Sequence, residues 1–397
     1  MKKEKLLVLA SSFPRNKEEI KGFIYILSER LTKDFEVYMI VPHSGNALLY
    51  EEMGELKVYR HKITPWGDFG LSYDSGILPN IKKKPVLALL IPFFIISQIF
   101  AIRRLVRQES ISTIHAHWVI PQGFSAVLYK VFFNSKIKIL VSALGSDINF
   151  FDNFLGNSLK KFILSRVNWV TVVSRNFKEK VERLGYRKEI SVFPLGVDTN
   201  VFRPERRDES IRDKFGIKGE MILFVGWVIE FKGIRFLIQA MERVTKIYPD
   251  VCLVIVGIGN LLEEMKELTA KLNLTQNVFF AGRVSDEELP SYYATADLFV
   301  LPSFSEGFPV VVEEAMASGT LSVVSDIPVF VDLAKDIPFV KITRKANADD
   351  IAEQIISNIR EKENGSTLKT QAREYAVKNF DWNVIANKFS NVLRDMK

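Results

Sequence analysis

Glu306 and Glu314 stand with seven residues between them in LPSFSEGFPVVVEEAMASGT, residues 301–320, and their neighbours say where each carboxylate sits. Ser303 and Ser305 precede a turn, Pro309 suits the first position of a helix, and Gly319 suits the residue just beyond its end. Glu306 is therefore expected in a loop and Glu314 one to two turns into a helix. A helix start offers unpaired N–H groups and the positive end of the aligned peptide dipoles, which together hold phosphate, and Gly307 lets backbone come close to a ligand. Carboxylates beside such a place repel the anion and suit the hydroxyls on either side of it. A molecule with a diphosphate in the middle, a sugar at one end and a ribose at the other has that layout. The spacing alone fits an ordinary surface helix with two solvated glutamates equally well.

Other residues offer chemistry more weakly. Lys232-Gly233 at a helix start joins a cation to a helix terminus, a pairing that is common in proteins. His115 and His117 stand two apart along a strand, and His117, nearer the strand end, is expected in the binding crevice. No cysteine or acidic cluster accompanies them, which argues against a metal site. Gly257-Ile258-Gly259 after a strand invites a dinucleotide reading. The third glycine of that fingerprint would fall at Leu262 and no acid stands at the expected strand end, so NAD is set aside. Cys252 lies in the apolar run VCLVIV as a buried thiol, and a lone cysteine excludes a disulfide framework and suits a reducing cytosol.

The elements that must position these residues alternate between strand and helix. Strands at about 5–10 and 36–41 bracket a helix at 23–32, and further strands fall at 113–116, 137–142 and 168–173. The second half continues with strands at 221–226, 251–257, 278–281 and 298–301, and helices at 233–246 and 286–294. Apolar strands in a βαβ succession predict parallel sheets covered on both faces, with ligands at the carboxyl ends of the strands, so the loop Ser11–Gly22 should face a site. A chain of 397 residues exceeds one average core. The charged, proline-bearing stretch VFRPERRDESIRD marks an inter-domain linker at roughly 195–216.

Residues 1–200 carry 29 Lys and Arg against 18 Asp and Glu, a net +11, whereas the remainder carries 25 against 29, a net −4. No nucleic-acid-binding motif accompanies the basic half, so nucleic acid is not expected as a partner. The opening MKKEKLLVLASSF has too short an apolar run for a signal peptide and reads as a first strand. Residues 82–107 are unusual. Pro85–Ala101 holds no charge and is bracketed by Lys82, Lys83 and Lys84 before it and by Arg103, Arg104 and Arg107 after it. The run falls short of a spanning helix and contains Pro92, which leaves a core helix or a helix lying in an anionic membrane interface.

With these pieces in order the chain resembles the retaining, nucleotide-sugar-dependent glycosyltransferases of family 4, over nearly its whole length. The resemblance rests on GWVIEFKG, VIVGIGN, residues 294–302 and SEGFPVVVEEAMASG in the second half. It rests more loosely on SSFP…KGF, HAHW, ALGSD, VVS and PLGVDTNVFRP in the first. It implies the GT-B fold, two Rossmann-like parallel-sheet domains facing across a cleft, over 1–195 and 196–379, with 380–397 returning as a helix to the first domain. It implies a donor linked to UDP or GDP, no required metal, a glycan or lipid-linked acceptor, and a role in cell-surface polysaccharide or glycoconjugate synthesis. By this resemblance Glu306 would hold the donor sugar's hydroxyls, Glu314 the ribose, the amides around Gly307 and Phe308, with Pro309 beside them, would face the diphosphate, and Lys232 would neutralise its charge as it leaves. Gly257 and Gly259 would let backbone approach the nucleoside, and Gly22 would lie near the phosphates.

Two positions depart from the family. Trp227 stands where an arginine usually follows the glycine, and Leu144 stands where a histidine usually precedes Gly-Ser-Asp. Arg283, Arg235 and Arg15 are candidates to replace the missing charge, and His117 and Asp147 the missing polar contact. These departures keep open a catalytically impaired, nucleotide-sugar-binding protein, and beside it a GT-B epimerase.

Overall fold

The computed structural model describes residues 3–19, 22–67, 69–73, 76–149, 152–335 and 337–396. They form two compact units, one of residues 1–195 together with 382–397 and one of residues 196–381. Ile20 and Lys21, in the loop expected to face a site, lie outside the described residues.

The first unit is built on eight strands: β1 (Glu4–Leu9), β2 (Phe35–Pro42), β3 (Tyr50–Met53), β4 (Leu56–His61), β5 (Thr113–His117), β6 (Lys138–Ala143), β7 (Trp169–Val172) and β8 (Ile190–Val192). Their order is β3-β4-β2-β1-β5-β6-β7-β8, with only the β3–β4 pair antiparallel. Continuous apolar runs such as LLVL in β1 are buried because helices cover both faces of a parallel sheet. The final helix, Trp382–Asp395, places Trp382, Ile385, Ala386, Phe389 and Leu393 in the same core as Leu6, Val8, Val37 and Met39.

The second unit carries β9 (Met221–Val225), β10 (Cys252–Val256), β11 (Val278–Gly282), β12 (Leu298–Leu301), β13 (Leu321–Ser325) and β14 (Val340–Thr343), all parallel, in the order β11-β10-β9-β12-β13-β14. The stretch expected to be a linker belongs to this unit instead. Ile211 of the short helix Ser210–Phe215 is buried, Phe202 meets Tyr293 edge to face at 5.7 Å, and the guanidinium of Arg373 donates to the carbonyls of Thr199 and Phe202. Its charges line the surface while these few apolar anchors tie it down, and average composition hides the anchors.

Both sheets reverse the direction of strand addition once, between β1 and β5 in the first and between β9 and β12 in the second. The loops leaving the carboxyl ends of the two strands at a reversal diverge to opposite faces and open a crevice, the usual ligand site of such sheets.

Candidate functional site

In the second unit the crevice falls between the loops that follow β9 and β12, neighbouring strands paired at Leu298↔Ile222 and Phe299↔Leu223. Two features bring these loops together. The Phe304 N–H donates to the Phe231 carbonyl at 2.7 Å, and Gly233, in the left-handed region at φ 67°, has the Pro302 carbonyl where a Cβ would be, 2.1 Å away. That close approach puts Lys232, the last residue of a short 3-10 turn, against Glu306, and its Nζ donates to Glu306 Oε1 at 2.7 Å. The two residues lie 74 apart in sequence, and the ion pair is largely withdrawn from solvent.

The helix after Glu306 runs Val310–Ala317, with Pro309 as its N-cap rather than its first turn residue. Pro309 has φ −91° and ψ 80°, outside helical values, so the helix begins one residue later than the sequence suggests. No side chain caps it. Gly307 is exposed with nothing near its Cβ position, so this backbone is open to a ligand, and Phe308 beside it is half-buried. Gly319 lies just past the helix end at φ 71°, as its type indicates.

Glu314 projects from the second turn, where Oε2 accepts a 2.8 Å hydrogen bond from the Tyr293 hydroxyl. Burial pushes its carboxyl up to about 7, the Tyr293 hydroxyl pulls it down, and Asp286 adds to the rise. Glu313 beside it is fully buried with neither oxygen hydrogen-bonded, and burial, reinforced by Glu314, holds its carboxyl well above the usual range. Sequence reasoning missed Glu313 and Tyr293. No local signal picks out Glu313, because Val312 and Ala315 share one face of the helix and leave residues 313 and 314 on the other, and its burial comes from what packs over the helix.

The two glycines expected to admit a nucleoside are occupied by protein. A Cβ at Gly257 would lie 1.9 Å from the Gly226 carbonyl and one at Gly259 2.1 Å from the Val228 carbonyl, so both let the loop after β10 pack on the loop after β9. Arg283 is exposed just beyond β11, the outermost strand on that side. Arg235 is paired with Glu264 on the surface and Arg15 with Glu19. Trp227 and Phe231, 62% and 63% exposed, flank the loop that carries Lys232.

In the first unit the loops after β1 and β5 border an open pocket of about 610 Å³ lined by Ser12, Phe13, Arg15, Gly22, Tyr25, Tyr73 and Trp118. Gly22 is the uncapped N-cap of helix Phe23–Leu31, with open space at its Cβ position. Arg15 stacks on the Tyr73 ring at 4.9 Å. His117 and Asp147 are turned inward, contrary to expectation. Asp147 accepts the N–H groups of Val119 at 2.6 Å, Gly145 at 3.0 Å and Leu144 at 3.2 Å, which ties the loops after β5 and β6 together. Burial raises its carboxyl and those donors oppose the rise. His117 is 1% exposed, packs 4.2 Å from the His115 ring and edge-on to Phe23, and burial lowers it to about 3. It lies on the side of β5 covered by the final helix, where the His115 ring meets Phe389 at 5.3 Å and where His117, Trp382 and Phe389 line one small pocket, because β5 is a central strand with both faces packed.

Residues 22–201 match the family model described as Glycosyltransferase Family 4, and residues 207–376 that of Glycosyl transferases group 1. The chain is 31% identical over 221 residues to a Bacillus subtilis (strain 168) protein described as a teichuronic acid biosynthesis glycosyltransferase, TuaC. That match takes in 54% of this chain and 53% of the relative, about half its length. It is 21% identical, over 98% of both chains, to the GDP-mannose-dependent alpha-(1-6)-phosphatidylinositol monomannoside mannosyltransferase of Mycolicibacterium smegmatis. Among solved structures, HepE of Anabaena in complex with UDP superposes with a TM-score of 0.75 at 18% identity, covering 98% of this chain and all of that one.

Proposed function

Since the chain belongs to the family 4 glycosyltransferases and has their GT-B fold, with a nucleotide sugar as donor, we propose that it transfers a hexose, with retention, to a glycan or lipid-linked acceptor in cell-surface polysaccharide or glycoconjugate synthesis. The observation that carries the chemistry is the Lys232–Glu306 pair at the strand reversal of the second unit. In the reaction the bond between the sugar's anomeric carbon and the diphosphate oxygen breaks, and its electron pair leaves with the nucleoside diphosphate. The acceptor hydroxyl oxygen bonds to the same carbon, and its proton passes to a diphosphate oxygen.

Each residue then has a task. Lys232 exchanges Glu306 for the diphosphate and meets the negative charge that builds there, a fixed donor of the kind worth ~3 kcal/mol in the transition state. The exposed backbone at Gly307 and the uncapped start of helix Val310–Ala317 bind the phosphate oxygens, and Glu306, once released, accepts from the sugar hydroxyls. Glu314, held by Tyr293, accepts from the ribose. The reading uses no resident metal. UDP or GDP is the expected carrier. HepE holds UDP, the mycobacterial relative uses GDP-mannose on a phosphatidylinositol mannoside, and the Bacillus relative is described as acting in teichuronic acid synthesis. Turnover of a panel of nucleotide sugars with a lipid-linked or oligosaccharide acceptor tests the proposal. Transfer that Glu306→Ala leaves intact would refute it.

A second reading, a donor-binding protein with impaired transfer, is favoured by Trp227, an exposed aromatic where the family carries a cation. It predicts donor binding without transfer to any acceptor, and measurable turnover excludes it.

A further inference from the structure

Pro85–Glu109 is helical throughout, a 3-10 stretch Pro85–Leu90 running into an α-helix Ile91–Glu109, yet only one side of it is core. Leu87, Phe94, Ile95, Ile102, Leu105 and Val106 are buried, the first three in a cluster with Ile63, Leu71 and Ile77. On the other side Val86, Leu89, Phe93, Ile96 and Phe100 are 67%, 72%, 45%, 53% and 56% exposed. Their spacing of three, four, three and four residues makes one continuous stripe, because the 3-10 turn eclipses i and i+3 and the α-helix continues at i+3 and i+4. Trp66, 76% exposed, widens it by meeting Phe93 edge to face at 6.3 Å.

Charge closes the stripe at both ends. Exposed Lys82, Lys83 and Lys84 precede it, and exposed Arg104 and Arg107 follow Phe100 on the same helical face. No acidic residue occurs from Gly76 to Gln108, and Glu109 is turned away to Lys5 and Tyr38.

We propose that this face docks the protein on a bilayer containing anionic lipid, with the stripe laid into the boundary between headgroups and acyl chains and the flanking cations on the lipid phosphates. An aliphatic and aromatic stripe with a cation cluster at each end, on a segment with no acid of its own from Gly76 to Gln108, complements that interface. A second copy of the chain is a poor occupant, since pairing two such stripes in either direction sets cations against cations. A full span is poorer still, because it would strip the inward residues out of their core. The surface does not depend on the transfer reading, and its test involves no turnover.

Flotation of the full chain with phosphatidylcholine vesicles, containing or lacking phosphatidylglycerol, is the experiment. The chain should float with the anionic vesicles at low salt and progressively less as salt rises. Arg104→Gln and Arg107→Gln should each weaken the association about fivefold. Phe93→Glu with Phe100→Glu, both at exposed positions, should abolish it while the thermal transition stays that of the parent. Failure to float with anionic vesicles, equal flotation on both vesicle types, or binding untouched by the double substitution would each overturn the proposal. So would a vesicle-free dimer in sedimentation equilibrium that the same double substitution splits into monomers.

Discussion

Lys232 and Glu306 are each other's counter-ion in a nearly enclosed place, so removing one leaves the other charged and without its partner. Glu306→Ala and Lys232→Ala should each lower turnover at saturating donor by about 10²–10³-fold. The double variant should fall little further, because residues that act as a unit are not additive. Rates that multiply independently would show that the pair does not work as one. Glu313 invites a stability prediction. A carboxyl whose folded pKa is raised stabilises the fold fully below its unfolded value and loses that contribution as pH climbs through the folded one. For Glu314 that window runs from about 4.5 to about 7, and Glu313 shifts in the same direction. Glu313→Leu removes a buried, unpaired acid and should stabilise the protein by about 1–3 kcal/mol at pH 8, with a smaller gain at pH 5. Thermal midpoints at the two pH values measure it, and a gain that is the same at both would be wrong for this cause. Both glutamates of the site were legible as types at a spacing. Their environments were not, because burial depends on what packs over the helix.

At the scale of elements, two loops matter most, those that leave β9 and β12 and touch at Gly233. An alanine there combines a left-handed backbone with a Cβ placed on the Pro302 carbonyl. Gly233→Ala should destabilise the second unit by about 2 kcal/mol and lower transfer at the same time, since Lys232 is the preceding residue. Denaturant midpoints and kcat together check this, and an unchanged midpoint would mean the loops part freely. Gly257 and Gly259 carry the same lesson. Their positions after a strand were visible in the chain, but what fills the space of the missing side chains is a neighbouring backbone 31 residues away, which no local pattern encodes. Strand and helix periodicity, by contrast, is local, and it located nine strands to within a residue or two, because a strand buried on both faces must be apolar throughout, while β4 and β13, interior in their sheets, were not marked by it. The helix expected at 286–294 begins only at Leu289, the residues before it being spent on a turn in which Ser285 and Glu288 bond each other.

The whole molecule depends on the chain's return to its first unit. Trp382, Ile385, Phe389 and Leu393 are fully or nearly buried against strands laid down more than 340 residues earlier in the chain. Trp382→Ala should cost about 3–5 kcal/mol, the range for a large core truncation, and should lower the first unfolding transition while sparing one reported by the second unit. Calorimetry resolves the two, and a uniform shift of both would contradict a separate core. The parallel α/β class, the doubling of the sheet and the ordered motifs of the second half were all determined by sequence alone, since hydrophobic period and turn chemistry act over a few residues. Which carboxylate is ion-paired, which is buried without a partner, and that His117 and Asp147 face inward were decided only by tertiary structure. Each of these depends on groups brought together from distant parts of the chain, and burial and pairing are properties of that neighbourhood rather than of the residue.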